Sequence, residues 1–496
     1  MAKKYLISLD QGTSSSRAIL FDSQARIVRI AQREFTQHFP EPGWVEHDPE
    51  EIWQSQLGVL EDVIKECSLS ATDITAIGIT NQRETTIVWD KQTGKPIYNA
   101  IVWQDKRTTA ICEAMIADDW QTIVERKTGL VLDAYFSATK IQWILDNVDG
   151  ARERAEQGDL LFGTVDSWLL WKLTDAEVHA TDCSNASRTL LFNIETAEWD
   201  LELLEAFNIP EQMLPEVRDS AGHFGAYTID NKKIPITGIV GDQQAALFGQ
   251  LCLQAGDVKN TYGTGCFMLM NTGKERIESE SGLLTTVAWR LQGEIVYALE
   301  GSVFVAGAAI QWLRDGLQLI DDAGETERLA LEAANDEVVV VPAFVGLGAP
   351  HWDMYARGAI FGLTRDSGKA ELVRATLQSL AMQSYDVLTA MNSDSGIELN
   401  SLKVDGGAIA NDYLAQFQAD ILSLAVERPK VIESTAVGAA YMAGIGVGLW
   451  TLDELQQQRE VDRVFSPEML PERREHLLRR WHKAVERSRG WLEDDS

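Results

Sequence analysis

The sequence lacks the features of a membrane-spanning, disulfide-bonded or zinc-binding protein. Its apolar runs are short and interrupted, and the N-terminal Met1-Ala2-Lys3-Lys4 leads into a strand-like segment without the pattern of a signal peptide. Its five cysteines are scattered, with no CxxC pair and no His/Cys cluster. We therefore expect a cytoplasmic protein with free thiols, no membrane insertion and no structural zinc.

Basic residues are also scarce. The 496 residues contain 44 Lys and Arg against 75 Asp and Glu, which gives a net charge of −31. This excess of negative charge argues against binding to nucleic acid or to an anionic membrane, but it does not exclude a local cationic pocket for a nucleotide. A chain of this length exceeds what one hydrophobic core supports, so we expect at least two domains.

Residues 238–244 lie close to the midpoint and place one carboxylate and two amides before a helix-like run, 245–251. Asp242 therefore falls where a strand or loop meets a helix N-terminus. Two interpretations are open from this segment alone. Asp242 is either an N-cap that accepts from free N–H groups, or a general base held at the bottom of a cleft.

The N-terminal segment predicts a β-hairpin with a polar turn. Residues 5–9 and 17–22 are strand-like, and Asp10-Gln11-Gly12-Thr13-Ser14-Ser15-Ser16 connects them. This connection is either an ordinary Ser-rich turn or a phosphate cradle, in which Arg17 offsets phosphate charge and Asp10 faces Mg²⁺. It is not a P-loop, because the pattern GxxxxGK[ST] is absent.

A second polar cluster, Asn81-Gln82-Arg83-Glu84, separates two strand-like segments. It is either a plain turn or a polyol site, in which Arg83 donates to hydroxyls and Glu84 accepts from them. Trp103, in the strand-like segment 100–105, and Tyr135 are core residues by default. Strands and helices alternate up to about residue 250, which favours an α/β fold.

The second half of the chain repeats this pattern. Residues 257–270 predict another strand–turn–strand, with Gly263-Thr264-Gly265 at its bend. Asp405-Gly406-Gly407-Ala408 lies between a strand and a helix, so it is either a tight turn or bare backbone beside a ligand. Two phosphate-type hairpins, one opening each half, suggest a duplicated architecture with domains at 1–250 and 251–496.

Three helices are predicted in the second half. Residues 301–313 have helical spacing, with Gly307 and Gln311 on neighbouring turns. Residues 372–391 predict a long amphipathic helix, and residues 434–441 predict a capped helix of small residues suited to close packing.

Taken together, these motifs resemble those of the FGGY carbohydrate kinases, and within them the members that phosphorylate glycerol. The resemblance covers almost the whole chain, with the motifs in the expected order: Asp10-Gln11-Gly12-Thr13, Asn81-Gln82-Arg83-Glu84-Thr85-Thr86, Gly241-Asp242-Gln243-Gln244, Thr261-Tyr262-Gly263-Thr264-Gly265-Cys266-Phe267 and Asp405-Gly406-Gly407-Ala408. The Arg-Glu pair and the Asp-Gln-Gln triplet are the specific parts. The hairpin and the Asp-Gly-Gly motif occur throughout the wider actin-like ATPase group. The resemblance implies an α/β fold of two actin-like, ribonuclease H-type domains, with the active site in the cleft between them.

The same resemblance implies an enzyme that uses ATP and Mg²⁺ to convert glycerol to sn-glycerol 3-phosphate. It implies that Asp10 faces the metal and the transferred phosphoryl, and that Asp242 is the base. Phosphates would be held by Thr13, Ser14, Ser15 and Arg17. The hydroxyls of glycerol would be bound by Arg83, Glu84, Tyr135, Asp242 and Gln243, and its carbons would lie against Trp103 and Phe267. The nucleotide would contact Thr264, Gly307, Gln311, Gly407 and Asn411. A homodimer or homotetramer is also implied.

The sequence departs from the family in one regulatory segment. Members inhibited by fructose 1,6-bisphosphate carry a loop with Gly and Arg just before the Asp-Gln-Gln region, whereas residues 228–235 here contain neither. The segment also lacks the His that other members phosphorylate, and residues 471–478 give no basis for the phosphotransferase-carrier contact of some members. We therefore expect inhibition by fructose 1,6-bisphosphate to be weak or absent.

Two other functions compete with phosphorylation of glycerol. One is a related kinase of a pentulose or hexulose, although Arg83-Glu84 and the aromatic residues Trp103 and Phe267 favour a small three-carbon polyol. The other is an actin-like ATPase that serves as a chaperone or a filament protein. Such a protein would have no reason to line its cleft with Arg83, Glu84 and Asp242.

Overall fold

A computed structural model describes residues 4–492, so residues 1–3, used above to argue against a signal peptide, lie outside it. Two mixed β-sheets, one from each half of the chain, form the frame of the molecule. Among the described helices, none combines the length and the apolar composition needed to cross a bilayer.

The first sheet belongs to the N-terminal half. Its strands are β1 (Tyr5–Gln11), β2 (Ser15–Phe21), β3 (Ile27–Glu34), β4 (Ile74–Asn81), β5 (Ala226–Ile229) and β6 (Lys232–Gly241). They lie in the order β5-β6-β4-β1-β2-β3. Strands β1, β2 and β3 are antiparallel, whereas β4 runs parallel to β1 and β6 runs parallel to β4. The hairpin predicted around Gly12 is therefore confirmed.

The second sheet repeats this plan. Its strands are β7 (Asp257–Tyr262), β8 (Cys266–Gly273), β9 (Leu284–Leu291), β10 (Glu294–Val303), β11 (Ser401–Asp405), β12 (Val426–Pro429) and β13 (Val461–Phe465). They lie in the order β9-β10-β8-β7-β11-β12-β13. Strands β7, β8 and β10 are antiparallel, and β11 and β12 continue the sheet in parallel. The path β3-β2-β1-β4-β6 thus recurs as β10-β8-β7-β11-β12, which confirms the duplicated α/β fold.

Helices cover both sheets. The principal ones are α1 (Pro49–Glu66), α2 (Ser137–Asn147), α3 (Val165–Leu173), α4 (Asp242–Gly249), α5 (Gly307–Gln311), α6 (Lys369–Ser395), α7 (Asp412–Leu422), α8 (Ser434–Gly446) and α9 (Pro471–Ser488). Shorter helices are Thr109–Ala117, Gln121–Thr128, Ala151–Glu156, Cys183–Ala186, Leu201–Ala206, Glu211–Met213, Trp312–Gly316, Glu325–Glu332, Gly407–Ala410 and Leu452–Gln458. Short strands outside the two sheets are Glu46–His47, Ile87–Asp90, Ala100–Ile101, Leu160–Gly163, Ala180–Asp182, Phe192–Asn193, Glu198–Trp199, Glu216–Arg218, Val339–Val341 and Ala359–Phe361.

Helix α8 joins the two halves. Although it comes late in the chain, its small residues pack against α4 and against the first sheet, in a shared core with Leu6, Phe21 and Val240. The contact is close enough to require glycine. A Cβ on Gly438 would lie 1.9 Å from the carbonyl oxygen of Ala245. This bears out the close packing predicted for residues 434–441, but Ser434 is the first helical residue and the N-cap, Glu433, makes no side-chain cap bond.

Two element predictions were wrong. Within the predicted helix 301–313, residues 301–303 belong to strand β10 (294–303). Helix begins only at Gly307, with α5 at 307–311 and a further helical turn at 312–316, because apolar spacing alone does not separate a buried strand from a helix. The segment 100–105 is a strand only at Ala100–Ile101. The chain then bends around Asp105, whose carboxylate accepts from the backbone N–H of Val45 at 2.6 Å and of Arg107 at 2.8 Å.

Candidate active site

Three neighbouring parallel strands of the first sheet end at the same edge. Gln11 of β1 lies beside Asn81 of β4, and Asn81 lies beside Gly241 of β6. The polar turn after β1, the cluster after β4 and Asp242 after β6 therefore meet at the carboxyl ends of the strands. This is the edge at which open α/β sheets bind ligands.

Arg83 stands at the centre of a buried charged cluster at this edge. Its guanidinium bonds to Glu300 at 2.6 and 3.2 Å, and its Nε lies 3.2 Å from Oδ1 of Asp242. Arg188 bonds to Glu84 at 2.7 Å and to Glu300 at 2.8 Å. Of the two interpretations of residues 81–84, the plain turn is wrong. A plain turn would be exposed to solvent, whereas the Arg83 and Glu84 side chains are each only 2% exposed.

Burial and the neighbouring charges shift the pKa values of the carboxyl groups in this cluster. Burial raises the pKa of Glu300, but the charges of Arg188 and Arg83 outweigh burial and bring the pKa down to about 2. Burial also raises the pKa of Glu84, with Arg83 and Arg188 opposing the change. Glu84 has a positive φ of 62°. A backbone this strained is retained only where its surroundings hold it, which favours a functional role.

Asp242 is not a helix N-cap. Gly241 occupies the cap position of α4, Asp242 is the first helical residue, and no side-chain cap bond forms. The Asp242 carboxylate accepts instead from the N–H of Gln243 at 2.6 Å. Its side chain is 28% exposed, unlike the rest of the charged cluster. Burial raises its pKa, while the charges of Arg83 and Lys259 act in the opposite direction. Asp242 is thus an accessible carboxylate of increased basicity.

Three aromatic residues form an aromatic wall next to this cluster: Trp103, Tyr135 and Phe267. The ring centroid of Trp103 lies 5.6 Å from that of Tyr135 and 6.5 Å from that of Phe267, both in edge-on geometry. All three rings are half-buried, so they are not the plain core residues that Trp103 and Tyr135 would be by default. The indole N–H of Trp103 donates to Oγ1 of Thr13 at 3.1 Å, which joins the wall to the first hairpin.

A buried lysine holds the Tyr135 loop. Nζ of Lys140 donates to the carbonyl oxygens of Ala134, Tyr135 and Phe136, at 2.9 Å for the last two. Burial lowers the pKa of Lys140 to about 8, although Glu84 opposes the shift. The Lys140 ammonium group therefore fixes the backbone that carries the Tyr135 ring.

The first hairpin places Asp10 opposite Arg17. The two residues are register partners in β1 and β2, and Nε of Arg17 lies 3.8 Å from Oδ2 of Asp10. Burial raises the pKa of Asp10 to about 6 against the opposing charge of Arg17. Arg17 also pairs at 2.5 Å with Glu433, the residue before α8. Ser14 is exposed at the tip of the turn, whereas Ser15 is buried and accepts from Gln32 at 3.1 Å.

The corresponding edge of the second sheet brings together most of the residues expected at the nucleotide. The carbonyl of Thr264 accepts from the N–H groups of Ala306 at 2.8 Å and Ala308 at 3.1 Å, so the second hairpin abuts the start of α5 at Gly307. Thr261 of β7 is the register partner of Asp405, which leads into the Gly406-Gly407 turn. Gly407 is exposed, with nothing within 4 Å of where its Cβ would lie.

Two of these expected contacts are less direct. Asn411 is the N-cap of α7: its side-chain oxygen accepts from the N–H of Leu414 at 3.0 Å, and its amide donates to Thr326 at 3.1 Å. Each end of that amide therefore already has one partner within the protein, and its second N–H is the donor left for a ligand. Gln311 is exposed at the end of α5.

Sequence reasoning missed four residues of the site: Arg188, Glu300, Lys259 and Glu433. The one available signal was charge in an apolar strand, since Glu300 lies between Leu299 and Gly301, and Lys259 lies between Val258 and Asn260. A charged residue inside such a strand must find a partner, and this requirement identifies it as a candidate.

Mg²⁺ fits this site as a companion of phosphate groups rather than as an ion held by the protein alone. Within residues 4–492 no cluster of three or more His, Cys, Asp or Glu residues is arranged to hold a metal. Asp10 offers a buried carboxylate beside the phosphate-type hairpin. One or two carboxylates together with substrate phosphates are the usual ligands of Mg²⁺.

Comparison with known proteins agrees with this architecture. The family model for the N-terminal domain of the FGGY family of carbohydrate kinases matches residues 5–249, and the model for the C-terminal domain matches residues 258–447. The glycerol kinases of Alkaliphilus metalliredigens and Fusobacterium nucleatum are 60% and 59% identical to 99% of this chain, over their whole lengths. A crystal structure of Plasmodium falciparum glycerol kinase with ADP superposes with a TM-score of 0.93 at 38% identity, covering 98% of both chains. By these matches and by its two repeated sheets, the chain belongs to the FGGY family of carbohydrate kinases.

Proposed function

We propose that this protein transfers the terminal phosphoryl group of ATP to glycerol and forms sn-glycerol 3-phosphate, with Mg²⁺ accompanying the nucleotide. One observation carries the proposal. Arg83, Glu84 and Asp242 meet beside an aromatic wall, at the same sheet edge as a phosphate-type hairpin. The glycerol kinases similar to this chain over its full length, and the related structure with ADP, support the same reaction.

The charged cluster and the aromatic wall suit a small polyol. We expect Arg83, Glu84, Tyr135, Asp242 and Gln243 to bind hydroxyls, while Trp103 and Phe267 face the carbons. Because Glu300 holds Arg83 by two bonds, the guanidinium is already oriented before the substrate binds. A site whose polar groups are fixed in this way rejects ligands that leave those groups unpaired.

Asp242 is the residue best suited to act as the base. A glycerol hydroxyl is a weak nucleophile, and a carboxylate that orients it and accepts its proton lowers the barrier to attack. Burial raises the pKa of Asp242, which strengthens it as an acceptor, and Arg83 lies 3.2 Å away to fix its position. The proton then leaves the hydroxyl for a carboxylate oxygen as the new bond from the glycerol oxygen to the γ-phosphorus forms. The bond from that phosphorus to the bridging oxygen of ATP breaks at the same time, and ADP is the leaving group.

The two hairpins suit the phosphates, with Thr13, Ser14, Ser15 and Arg17 on one side and Thr264 on the other. We assign Gly307, Gln311, Gly407 and Asn411 to the remainder of the nucleotide. Asp10 would hold Mg²⁺ together with the phosphates, and the ion would supply charge neutralisation there. Arg17 adds a cation close to Asp10, so the chain contributes positive charge where negative charge accumulates.

The organisation of the chain also remains a proposal. We infer domains at 1–250 and 251–496, with α8 of the second packed on the sheet of the first. We further infer a homodimer or homotetramer in the cytoplasm, as the family resemblance implies. Size-exclusion chromatography with light scattering measures the number of subunits.

A substrate panel tests the reaction. ADP release is measured by a coupled assay with ATP, Mg²⁺ and glycerol, dihydroxyacetone, xylulose or ribulose. We expect glycerol to give the highest kcat/KM and the pentuloses to be poor, because the fixed hydroxyl partners discriminate by up to about 10⁴–10⁵. Comparable kcat/KM with xylulose would identify a pentulose kinase. ATP turnover that no polyol stimulates would indicate an actin-like ATPase of another class.

A further inference from the structure

Lys259 is a fully buried lysine at the floor of the site, to which the proposed reaction gives no role. It lies on β7 of the second sheet with no exposed surface. Its Nζ donates to the side-chain oxygen of Gln243 at 2.5 Å, to Oγ1 of Thr261 at 3.0 Å and to the backbone oxygen of Phe267 at 3.1 Å. An ammonium group has three donors, so all of them are used inside the protein.

Two of these three acceptors belong to residues proposed to bind glycerol. Gln243 is on α4, which follows the first sheet, and Phe267 is on β8 of the second. An ammonium group only donates, so the amide of Gln243 must turn its oxygen toward Lys259 and its nitrogen away. This fixes which end of the amide is available to a substrate hydroxyl.

We propose that Lys259 is a positioning residue for glycerol: it orients the amide of Gln243 and anchors Phe267, and it touches no substrate atom. This inference rests on the proposed function, since it concerns how the same site recognises its substrate. Lys259 also connects the two halves of the chain, because Gln243 lies on the helix that follows the first sheet while Thr261 and Phe267 lie in strands of the second.

The acceptors of Lys259, rather than its burial alone, point to a role in the site, because Lys403 is also a buried lysine. Burying an ammonium group is costly, and an apolar side chain of similar volume would fill the same space without that cost. Burial lowers the pKa of Lys259 to about 8, although Asp405 and Asp242 favour the charged form. The energetic penalty is understandable if the charge holds a substrate-binding amide in one orientation.

The neighbouring strand supplies a matched control. Lys403 on β11 is the register partner of Lys259, and it is also buried. Its Nζ donates to the backbone oxygen of Leu251 at 2.9 Å and lies 3.9 Å from Asp257. Neither of these residues belongs to the proposed site, so Lys403→Met removes a buried ammonium group without altering the glycerol contacts.

The test compares full-length wild type, Lys259→Met and Lys403→Met. We expect Lys259→Met to lower kcat/KM for glycerol by roughly 10- to 100-fold, because small displacements of substrate-positioning groups cost this much. The KM for ATP should change less than about twofold. Lys403→Met should leave the ratio of the two KM values as in wild type, whichever way it shifts the melting temperature. The stabilisation of the protein by added glycerol, measured as a shift in melting temperature, should shrink only in Lys259→Met.

A double-mutant cycle shows whether Lys259 acts through Gln243. In a Gln243→Leu background, adding Lys259→Met should cause little further loss of kcat/KM for glycerol.

An equal loss in both backgrounds, or an equal rise in glycerol KM from Lys403→Met, would overturn the proposal. If Lys259→Met does not fold, Lys259→Gln, which retains two N–H donors but no charge, should show the same selective loss. Wild type without glycerol-dependent ADP release would overturn the proposed function as well, whereas an active wild type and an unchanged Lys259→Met overturn only this inference.

Discussion

Glu300 on β10 of the second sheet forms a two-bond ion pair with Arg83, which follows β4 of the first. The oxygens of Glu300 lie 2.6 Å from Nη1 and 3.2 Å from Nη2 of Arg83, and each side chain is 2% exposed. Glu300 also accepts from Arg188 at 2.8 Å. One carboxylate of the second half therefore orients two guanidinium groups of the first.

Replacing Glu300 should affect both stability and substrate binding. Glu300→Gln removes the carboxylate charge that Arg83 and Arg188 share, while both guanidinium groups stay buried. Breaking a buried ion pair in this way lowers the free energy of unfolding by about 3–5 kcal/mol. Because Arg83 loses its fixed orientation, the KM for glycerol should rise while the KM for ATP is spared. Urea unfolding and steady-state kinetics measure the two effects.

A more exposed ion pair provides the control for Glu300→Gln. Asp219 pairs with Arg290 at 2.5 Å, with side chains 26% and 17% exposed, and neither residue belongs to the site. Asp219→Asn should cost about 1 kcal/mol or less and leave glycerol kinetics unchanged. A glycerol KM for Glu300→Gln equal to that of Asp219→Asn would remove the link between Glu300 and the substrate.

Local motifs identified the parts of the site that follow strand ends, but not their long-range partners. Asp10, Arg83 and Asp242 were found because each stands in a polar run beside an apolar strand. Arg188 and Glu300 stand in no such run. Their pairing joins residues separated by 112 positions in the chain, and it follows from the packing of one half against the other. No short segment of sequence contains that information.

The same limit explains the errors in secondary structure. Residues 301–313 have apolar spacing compatible with a helix, yet Gly301 and Val303 lie in β10, opposite Met268 and Cys266 of β8. The fold of the two halves was predictable because the motifs recur in order. The boundary between strand β10 and helix α5 was not predictable, because the pairing of β10 with β8 decides where the strand ends.

His482 should make stability depend on pH. The buried carboxylate of Asp386 on α6 accepts from Trp481 at 2.7 Å and contacts His482 at 3.1 Å and His351 at 3.2 Å. The hydrogen bond to Asp386 raises the pKa of His482 above its ordinary value. Protonated His482 is therefore favoured by folding, and its stabilisation is fully present below the ordinary pKa of histidine and is lost as pH rises through the raised pKa.

The measurement is the melting temperature of wild type and His482→Gln from pH 5.5 to 8.5. We expect the difference between the two proteins to be largest at the acidic end and to shrink as pH rises. A difference that is constant across this range would mean that the contact does not depend on the charge of His482.

Inhibition by fructose 1,6-bisphosphate should be weak or absent. Residues 228–235 form the β5–β6 hairpin, whose two-residue turn, Asp230-Asn231, has both φ angles positive at 48° and 61°. This tight turn offers no Arg for a bidentate phosphate contact, and Lys232 and Lys233 are the available cations. Titration of the effector at fixed glycerol and ATP measures the effect. Strong inhibition at micromolar concentrations would locate the effector at another site.

The role of Asp242 as a base can be tested by one isosteric variant and one control that removes a helix cap. Asp242→Asn keeps the size of the side chain and leaves the true N-cap position, Gly241, unchanged, so the fold and ATP affinity should be retained. It removes the acceptor for the glycerol proton, and kcat should fall by roughly 10²–10⁴.

The control, Asp48→Ala, removes a real N-cap, since Asp48 accepts from the N–H of Glu50 at 2.8 Å at the start of α1. It should lower the free energy of unfolding by about 1 kcal/mol and leave kcat nearly unchanged. Near-wild-type kcat in Asp242→Asn would leave the base unassigned and return Asp242 to a purely structural role.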